Sequence, residues 1–303
     1  MRSMKSRLIG SVACAISLFL SPSLSAKEPA ATPAQVEPGR PALWKVADED
    51  TTIWLFGTIH ILPKPVDWYQ GPVASALDGA QTLVTEVPMN DDKAAQAAIM
   101  SKATREDGKT LRATLSDEER ADYEAALGQF GLPVAMFDGN DAWFAALMLT
   151  MLPLQLSGYD LENGIDRQVA AKASARGMAN EAFETPEYQI SLFDTLPAET
   201  QERYLAEVVD ALPTMKDDIA RMVEAWRTGK AEVLAELLNQ QEDDPRIREV
   251  LLSERNRHWA RWLEKRLDEP GSVFVAVGAG HLAGEDSVQA LLAAKGIIAE
   301  RVQ

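Results

Sequence analysis

The sequence predicts an α/β fold with a mixed, partly parallel central sheet and a large helical insertion. Two short apolar runs, Ile53–Phe56 and Ser272–Val277, end at a glycine near the two ends of the chain. Between them, from about residue 90 to residue 267, apolar residues recur at helical spacing. The 303 residues are 46% hydrophobic and 25% charged, a composition that is sufficient for one large core.

Residues 1–26 have the pattern of a cleavable signal peptide. A basic start, Arg2 to Arg7, precedes an apolar run of about 13 residues, and small residues precede the end at Ala26. The run is shorter than the roughly 20 residues of a membrane-spanning helix, so we expect no stable membrane insertion after cleavage. The single cysteine, Cys14, lies within this run, which makes a lipoprotein signal the weaker alternative. We therefore predict a periplasmic or secreted protein.

The next segment, residues 27–41, is rich in proline and alanine and is predicted to be an extended linker to a single domain over residues 42–303. The formal net charge is −16, and the signal peptide carries only basic charges, so the mature chain would be more acidic still. Such a charge repels phosphate backbones, and we expect no nucleic-acid partner. The sequence leaves the oligomeric state open.

Near the start of the domain, Trp44–Val46 and Ile53–Phe56 flank a polar turn and are predicted to form a hairpin. Ala80–Val87 predicts the next strand, which Pro88 ends. No phosphate-binding loop, dinucleotide fingerprint, His-Glu-x-x-His helix or Gly-x-Ser-x-Gly motif occurs in the chain, so serine-hydrolase and nucleotide-binding functions lack support.

Helix signals dominate the middle of the chain. Ser116–Glu119 matches a capping box, and Gly177 follows a predicted helix as a C-cap. Ala142–Leu156 is apolar on every side, which predicts a helix in the core or, less simply, one that lines a groove. A helix at Ser287–Lys295 and a last strand at Ile297–Val302 predict a closing unit of the βαβ type.

The most informative feature is a repeated motif. Gly57-Thr-Ile-His60 and Gly278-Ala-Gly-His281 both follow an apolar run, and the chain has only three histidines. Sites in α/β sheets form at the carboxyl ends of strands, and imidazole is both a common metal ligand and a proton carrier. Each histidine could instead merely bond to a nearby carbonyl. The matched pair favours a common functional site.

Glu86 ends the next predicted strand, where it could complete a metal site, act as general base or only cap the strand. In the long predicted helix Pro245–Leu267, helical spacing puts Glu254, Arg255 and His258 on or beside the buried face. A buried guanidinium needs a partner, so Arg255 is expected to face a substrate oxyanion or to pair with Glu254.

Asn256 is predicted to point sideways from that face. Two further segments inside the insertion, Gly164-Ile-Asp166 and Phe183-Glu184-Thr185, could face the same cleft. Helix capping is the simpler interpretation of both.

In this order the motifs resemble the TraB/GumN family (TraB/PrgY/GumN), which includes bacterial pheromone-shutdown proteins and the Tiki metal-dependent peptidases. The matching segments are Leu43-Trp44, Phe56–His60, Thr85-Glu86, Gly164–Asp166, Phe183–Gln189, Glu254–Asn256 and Val277–Leu282. The resemblance implies an α/β fold similar to that of erythromycin esterases and haem-iron-uptake lipoproteins, an erythromycin-esterase/ChaN-like fold.

Together with the predicted signal peptide, the resemblance implies an exported metal-dependent hydrolase, most simply a peptidase, that acts on a peptide or another carbonyl substrate. A divalent metal, manganese, cobalt or zinc, would be held by His60, His281 and Glu86. Glu86 would also be the catalytic base, and Arg255 and Asn256 would be catalytic residues that stabilise the oxyanion or orient the substrate. The alternative is a non-catalytic periplasmic protein that binds a peptide, a metal or haem, or that assists envelope polysaccharide assembly.

Overall fold

The computed structural model describes residues 36–89, 92–239 and 244–303. The predicted signal peptide and most of the predicted linker lie outside these ranges, as do Asn90 and Asp91. The strands are β1 (Glu37–Pro38), β2 (Leu43–Ala47), β3 (Thr51–Thr58), β4 (Val66–Asp67), β5 (Thr82–Thr85), β6 (Ala179–Ala182), β7 (Gly271–Gly278) and β8 (Glu300–Arg301).

Helices connect most of these strands. They are α1 (Gly71–Gly79), α2 (Asp92–Lys102), α3 (Leu111–Thr114), α4 (Asp117–Gln129), α5 (Ala142–Leu156), α6 (Ile165–Ala175), α7 (Pro186–Asp194), α8 (Ala198–Arg227), α9 (Ala231–Asn239), α10 (Pro245–Arg248), α11 (Glu254–Arg266) and α12 (Val288–Ala293). A π-helical turn, Glu249–Ser253, joins α10 to α11. None of the helices in the described ranges is both long enough and apolar enough to cross a membrane.

The main sheet has the strand order β6-β5-β7-β3-β2-β8. Strands β6, β5, β7 and β3 are parallel, whereas β2 is antiparallel to both β3 and β8. The mixed, partly parallel sheet and the β2–β3 hairpin are therefore confirmed. For the closing unit, the predicted direction of the last strand is confirmed, because β8 runs the same way as β7. It does not lie beside β7, since β3 and β2 separate the two strands.

One strand interrupts the segment that we expected to be helical. β6 has the sequence Ala-Asn-Glu-Ala and forms an edge of the sheet, where three of its four residues are exposed. Because it lacks alternating apolar residues, the residue pattern predicts no strand at this position. Its position matters for the site, since it brings Glu184 to the sheet.

The sheet is covered on both faces, which explains why its strands are almost continuously apolar. Phe56 and Phe274 point to one face and pack into a core that includes the buried helices α5 and α8. Leu55 and Val275 point to the other face, against Trp259 of α11. The prediction that Ala142–Leu156 belongs to the core is therefore confirmed.

The predicted helix ends are also confirmed. Ser116 and Glu119 form a reciprocal capping box at the start of α4. Gly177 follows α6 with a φ of +65°, a left-handed conformation that glycine adopts without strain.

Candidate active site

Four neighbouring parallel strands end at one edge of the sheet, and each is followed by a side chain that can carry chemistry. Glu184 follows β6, Glu86 follows β5, His281 follows β7 and His60 follows β3. All four side chains are nearly inaccessible to solvent. The structure thus brings together the three residues that the repeated motif and its neighbouring strand predicted, and adds Glu184.

His60 is held by Asp166. Nδ1 of its ring lies 2.8 Å from Oδ1 of Asp166, which stands in the first turn of α6. Because a carboxylate accepts, Nδ1 donates, and this leaves Nε2 with its lone pair on the side of the sheet edge. Burial lowers the pKa of His60, but the charge and hydrogen bond of Asp166 outweigh burial and raise it. His60 therefore keeps a proton to a higher pH than an ordinary histidine.

Gly164 permits this approach. A Cβ atom there would collide with the carbonyl oxygen of His60, and the next residue, Ile165, donates its backbone N–H to the carbonyl of Ile59 at 2.8 Å. The segment Gly164-Ile-Asp166 therefore docks the start of α6 onto the first Gly-x-x-His turn. Capping alone does not describe Asp166, because its carboxylate binds His60.

Glu86 is held as a carboxylate. Oε1 accepts the backbone N–H of Gly278 at 2.7 Å, and Oε2 accepts from Arg255 at 2.7 Å and from Gln189 at 3.1 Å. Burial would raise the pKa of Glu86, but the charge of Arg255, helped by the Gly278 N–H, lowers it to about 2. Glu86 is thus an anion throughout the physiological range.

Arg255 links the carboxylates to the second histidine. Its Nη2 lies 2.8 Å from Oε2 of Glu184, which also accepts from Nε, and its Nη1 donates to Nε2 of His281 at 3.1 Å. Nη1 also reaches the carbonyl of Leu251, at 3.0 Å, in the π-helical turn. Such turns are rare and frequent at functional sites, and this one leads directly into Arg255.

His281 is fixed as a neutral ring. Nδ1 lies 2.5 Å from Oδ1 of Asn256, whose Nδ2 donates to the carbonyl of Asp286 at 2.8 Å. Since that amide nitrogen donates elsewhere, Oδ1 accepts and His281 carries its proton on Nδ1. Burial, followed by the charge of Arg255, lowers the pKa of His281 to about 3. Asn256 accordingly orients His281.

The groups face one another across Gly278. A Cβ atom at this residue would lie 3.1 Å from Oε1 of Glu86, 3.4 Å from Nε2 of His60 and 3.7 Å from Cδ2 of His281. A glycine at this position therefore leaves room between His60 and the Glu86 anion. The residue begins the second Gly-x-x-His motif, so its role is part of the repeated pattern.

In this arrangement the residues predicted as metal ligands bind other protein groups. Among the described residues, no group of three or more His, Cys, Asp or Glu side chains has the placement that an ion requires. His281 turns a ring carbon toward Gly278, and its Nε2 accepts from Arg255, whose positive charge opposes a second cation. His60, His281 and Glu86 as ligands of manganese, cobalt or zinc stay a prediction.

Gln189, near the start of α7, belongs to the site although its side chain carried no chemical signal in the sequence. Nε2 donates to Glu86 at 3.1 Å and to Glu184 at 2.9 Å. Its buried Oε1 has no hydrogen-bond partner in the described part of the chain. Buried amide oxygens are usually satisfied, so this atom is suited to accept from a substrate or water. In the sequence, only the position of Gln189 in the family segment Phe183–Gln189 could have indicated that it belongs to the site.

Two predicted neighbours of Arg255 lie outside the site. Glu254 and His258 are exposed, and Arg255 pairs with Glu86 and Glu184 instead of Glu254. Both exposed residues lie on the flank of α11, beside the face that buries Arg255, Trp259 and Leu263.

In a comparison with known proteins, one family model matches a range that includes every residue of the site. A model of the TraB/PrgY/gumN family matches residues 42–301. The chain belongs to this family. The chain is similar to the uncharacterized protein YbaP of Escherichia coli (strain K12) and to that of Shigella flexneri, and it is 24% identical to each over 245 residues. These alignments cover 78% of this chain and 86% of each relative. No solved structure matches.

Proposed function

We propose that this TraB/PrgY/gumN protein is a hydrolase of carbonyl compounds, with peptides as its expected substrates. The observation that carries the proposal is the opposition of two buried pairs across Gly278: His60 with Asp166, and Glu86 with Arg255. A histidine backed by a carboxylate is a general base, and a fixed anion beside it stabilises the imidazolium that forms. Peptides are chosen from the family resemblance, since the residues alone suit any carbonyl substrate.

In this proposal His60 removes a proton from water through Nε2 as the water oxygen adds to the carbonyl carbon, and Asp166 stabilises the resulting imidazolium. When the tetrahedral intermediate collapses, the bond to the leaving group breaks and the imidazolium returns the proton to that group. Glu86 fits the role of base less well, because a pKa of about 2 makes it a weak base near neutral pH. It favours the protonated form of His60 by its charge. The Gln189 oxygen is available to orient the water, and Arg255 supplies positive charge near the carbonyl as it becomes an oxyanion.

Arg255 acts through its charge in this scheme. Its Nη1 atom donates to His281 and Leu251, and its Nη2 atom donates to Glu86 and Glu184. A direct hydrogen bond to the oxyanion would need one of these bonds to break. The same step, release of His281, would be needed for a metal ion to use that histidine as a ligand.

The test is peptide hydrolysis by the metal-stripped mature chain, followed by mass spectrometry, with and without added manganese, cobalt or zinc. We expect product from the wild type and at least a 100-fold loss in His60→Ala, in keeping with the usual contribution of a general base. His258→Ala is the matched control, because the third histidine is exposed and outside the site. Full turnover by His60→Ala would refute the mechanism, and tight peptide binding without product would favour the non-catalytic binding protein.

Export is a separate proposal that rests on residues 1–26. We propose that the chain is cleaved near Ala26 and released as a periplasmic or secreted protein. Cell fractionation and N-terminal sequencing of the product test it. An intact N-terminus in the cytoplasmic fraction would contradict it.

A further inference from the structure

A small pocket, about 40 Å³ in volume, lies beside His60, and most of its wall takes no part in the acid–base chemistry. Residues 58–61 of the first Gly-x-x-His turn form one part of its wall, and Ala279 and Gly280 of the second turn form another. The opposite wall consists of side chains from α8 and α9: Ile219, Met222, Val223, Leu234 and Leu238. Both turns that position the site therefore also border this pocket.

The chemistry of the wall selects an apolar ligand. His60 is the one ionisable residue that lines the pocket among the described residues, and the remaining side chains are aliphatic or small apart from Thr58. A charged group placed there would lose its hydration without gaining a partner. An aliphatic or aromatic group would instead be removed from water against several hydrocarbon side chains.

Thr58 adds a polar feature to this wall. It is 2% exposed, and its hydroxyl has no hydrogen-bond partner in the part of the chain that the structure describes. Buried hydroxyls are normally satisfied, so a polar atom that arrives with the ligand would remove an energetic penalty. A peptide offers such an atom, because a backbone amide stands next to every side chain.

We infer that this pocket binds the apolar side chain of the substrate residue that flanks the cleaved bond, and that Thr58 binds the adjoining backbone amide. The inference rests on the proposed hydrolase function and names its substrate class: peptides with an apolar residue at that position. Gly280 directly precedes His281, and His60 itself lines the pocket. Ala279 and Gly280 of the wall directly follow Gly278, so the pocket adjoins the place where His60 and Glu86 face one another.

Binding and turnover are measured separately, so that failure of the pocket and failure of the hydrolase are distinguishable. The probes are N-acetyl-leucine amide and its glycine and aspartate counterparts, titrated into the mature chain by ligand-detected NMR. We expect the leucine probe to bind at least tenfold more tightly than the other two. Equal binding of the three probes would overturn the inference, whether or not peptides are cleaved. Selective binding without any cleavage would refute only the hydrolase.

Leu238→Trp tests the location of the probe, because the indole would fill the pocket from the partly buried end of α9. Val233→Trp is the matched control on the same helix, since Val233 is 41% exposed and does not line the pocket. We expect at least a tenfold loss of leucine-probe binding in Leu238→Trp and none in Val233→Trp. Should Leu238→Trp fail to fold, Val223→Trp narrows the same pocket from α8. Unchanged binding in a folded pocket variant would overturn the inference.

Thr58→Val tests the hydroxyl with little change in volume. We expect three- to tenfold weaker binding of N-acetyl-leucine amide, with thermal stability equal to or above that of the wild type, because the lost hydroxyl has no partner to leave behind. A residue with only a structural role would change stability and leave probe binding unaltered. That second pattern would contradict the role given to Thr58.

Discussion

Arg255 donates from Nη1 to Nε2 of His281 at 3.1 Å. This contact separates the roles of the two motif histidines. His281 is neutral, with its nitrogens bound to Asn256 and Arg255, whereas His60 has a raised pKa and a carboxylate behind it. The repeated motif therefore supplies one residue suited to proton transfer and one that helps to hold the guanidinium.

Arg255→Ala should destabilise the protein and allow a metal ion to bind where the guanidinium was. Loss of one partner from a buried ion pair costs roughly 3–5 kcal/mol, and we expect the free energy of unfolding to fall by that amount. We also expect the variant to lose turnover. Removing the charge also releases Nε2 of His281 beside Glu86. Cobalt should therefore bind the variant more tightly than the wild type and restore part of its stability, as titration calorimetry and thermal melts would show.

Arg257→Ala is the control for this change, because Arg257 is partly exposed and pairs with Glu249 of the preceding π-helical turn. Its stability should change by less than about 1 kcal/mol. Tighter cobalt binding by the wild type than by Arg255→Ala would contradict the idea that the guanidinium opposes a metal ion.

Asp166→Asn should shift the pH dependence of hydrolysis. The raised pKa of His60 means that its Nε2 becomes available as a base only as the pH rises through that raised value, so kcat/KM should increase across it. Removal of the Asp166 charge leaves burial to lower the pKa. The acid limb should therefore move to lower pH, while the maximal rate falls by about 100-fold because the ring loses its orientation.

A pH profile from pH 5 to pH 9 measures both effects. Glu162→Gln is the control, since this exposed carboxylate lies near the start of α6 and does not contact His60. An acid limb that stays in place in Asp166→Asn would show that another group sets the pH dependence.

Gly278→Ala should abolish turnover without disturbing the fold. Its backbone has a φ of −49°, which alanine adopts freely, so the effect comes from the added methyl group alone. That methyl would lie 3.1 Å from Glu86 Oε1 and 3.4 Å from His60 Nε2, where the water and the carbonyl must fit. We expect at least a 100-fold loss of kcat and a change in unfolding free energy of about 1 kcal/mol.

Gly128→Ala serves as the comparison, because nothing lies within 4 Å of the position that its Cβ would take in α4. Alanine there should stabilise the helix slightly and leave turnover unchanged. Normal activity in Gly278→Ala would place the reaction elsewhere.

The sheet side of the site was predictable because its residues follow directly from strand ends. A glycine after an apolar run marks where β3 and β7 stop, and parallel pairing of Thr58 with Gly278 brings the two motifs together. The adjacency of β3 and β7 itself was an inference from the repeated pattern. Glu86 followed from the same reasoning applied to β5.

The helical side could not be predicted in the same way. Asp166 and Glu184 stand beside helix starts, where acidic residues are common for local reasons, and their long-range partners are 106 and 71 residues away in sequence. The π-helical turn before α11 likewise has no period-based signal in the sequence. These contacts depend on how β6 and α6 pack against the sheet, which the residue pattern does not predict.

Glu86→Gln should weaken the fold at neutral pH and reduce its sensitivity to acid. The pKa of Glu86 is about 2 in the folded chain and 4.5 ordinarily, so its contribution is complete above pH 4.5 and disappears as the pH falls towards 2. The variant lacks this contribution at every pH. We expect it to be about 3 kcal/mol less stable at pH 7, the lower end of the range for breaking a buried pair, since Arg255 keeps Glu184.

Urea unfolding at pH 7, 4 and 3 measures the effect. The difference between wild type and Glu86→Gln should shrink as the pH falls, because protonation of the wild-type carboxylate removes the same interaction that the substitution removes. Glu254→Gln is the matched control: this exposed glutamate precedes Arg255 in sequence but does not touch the site, so its curve should follow the wild type. A constant difference between Glu86→Gln and wild type at all three pH values would mean that Glu86 is not the depressed carboxylate on which the site depends.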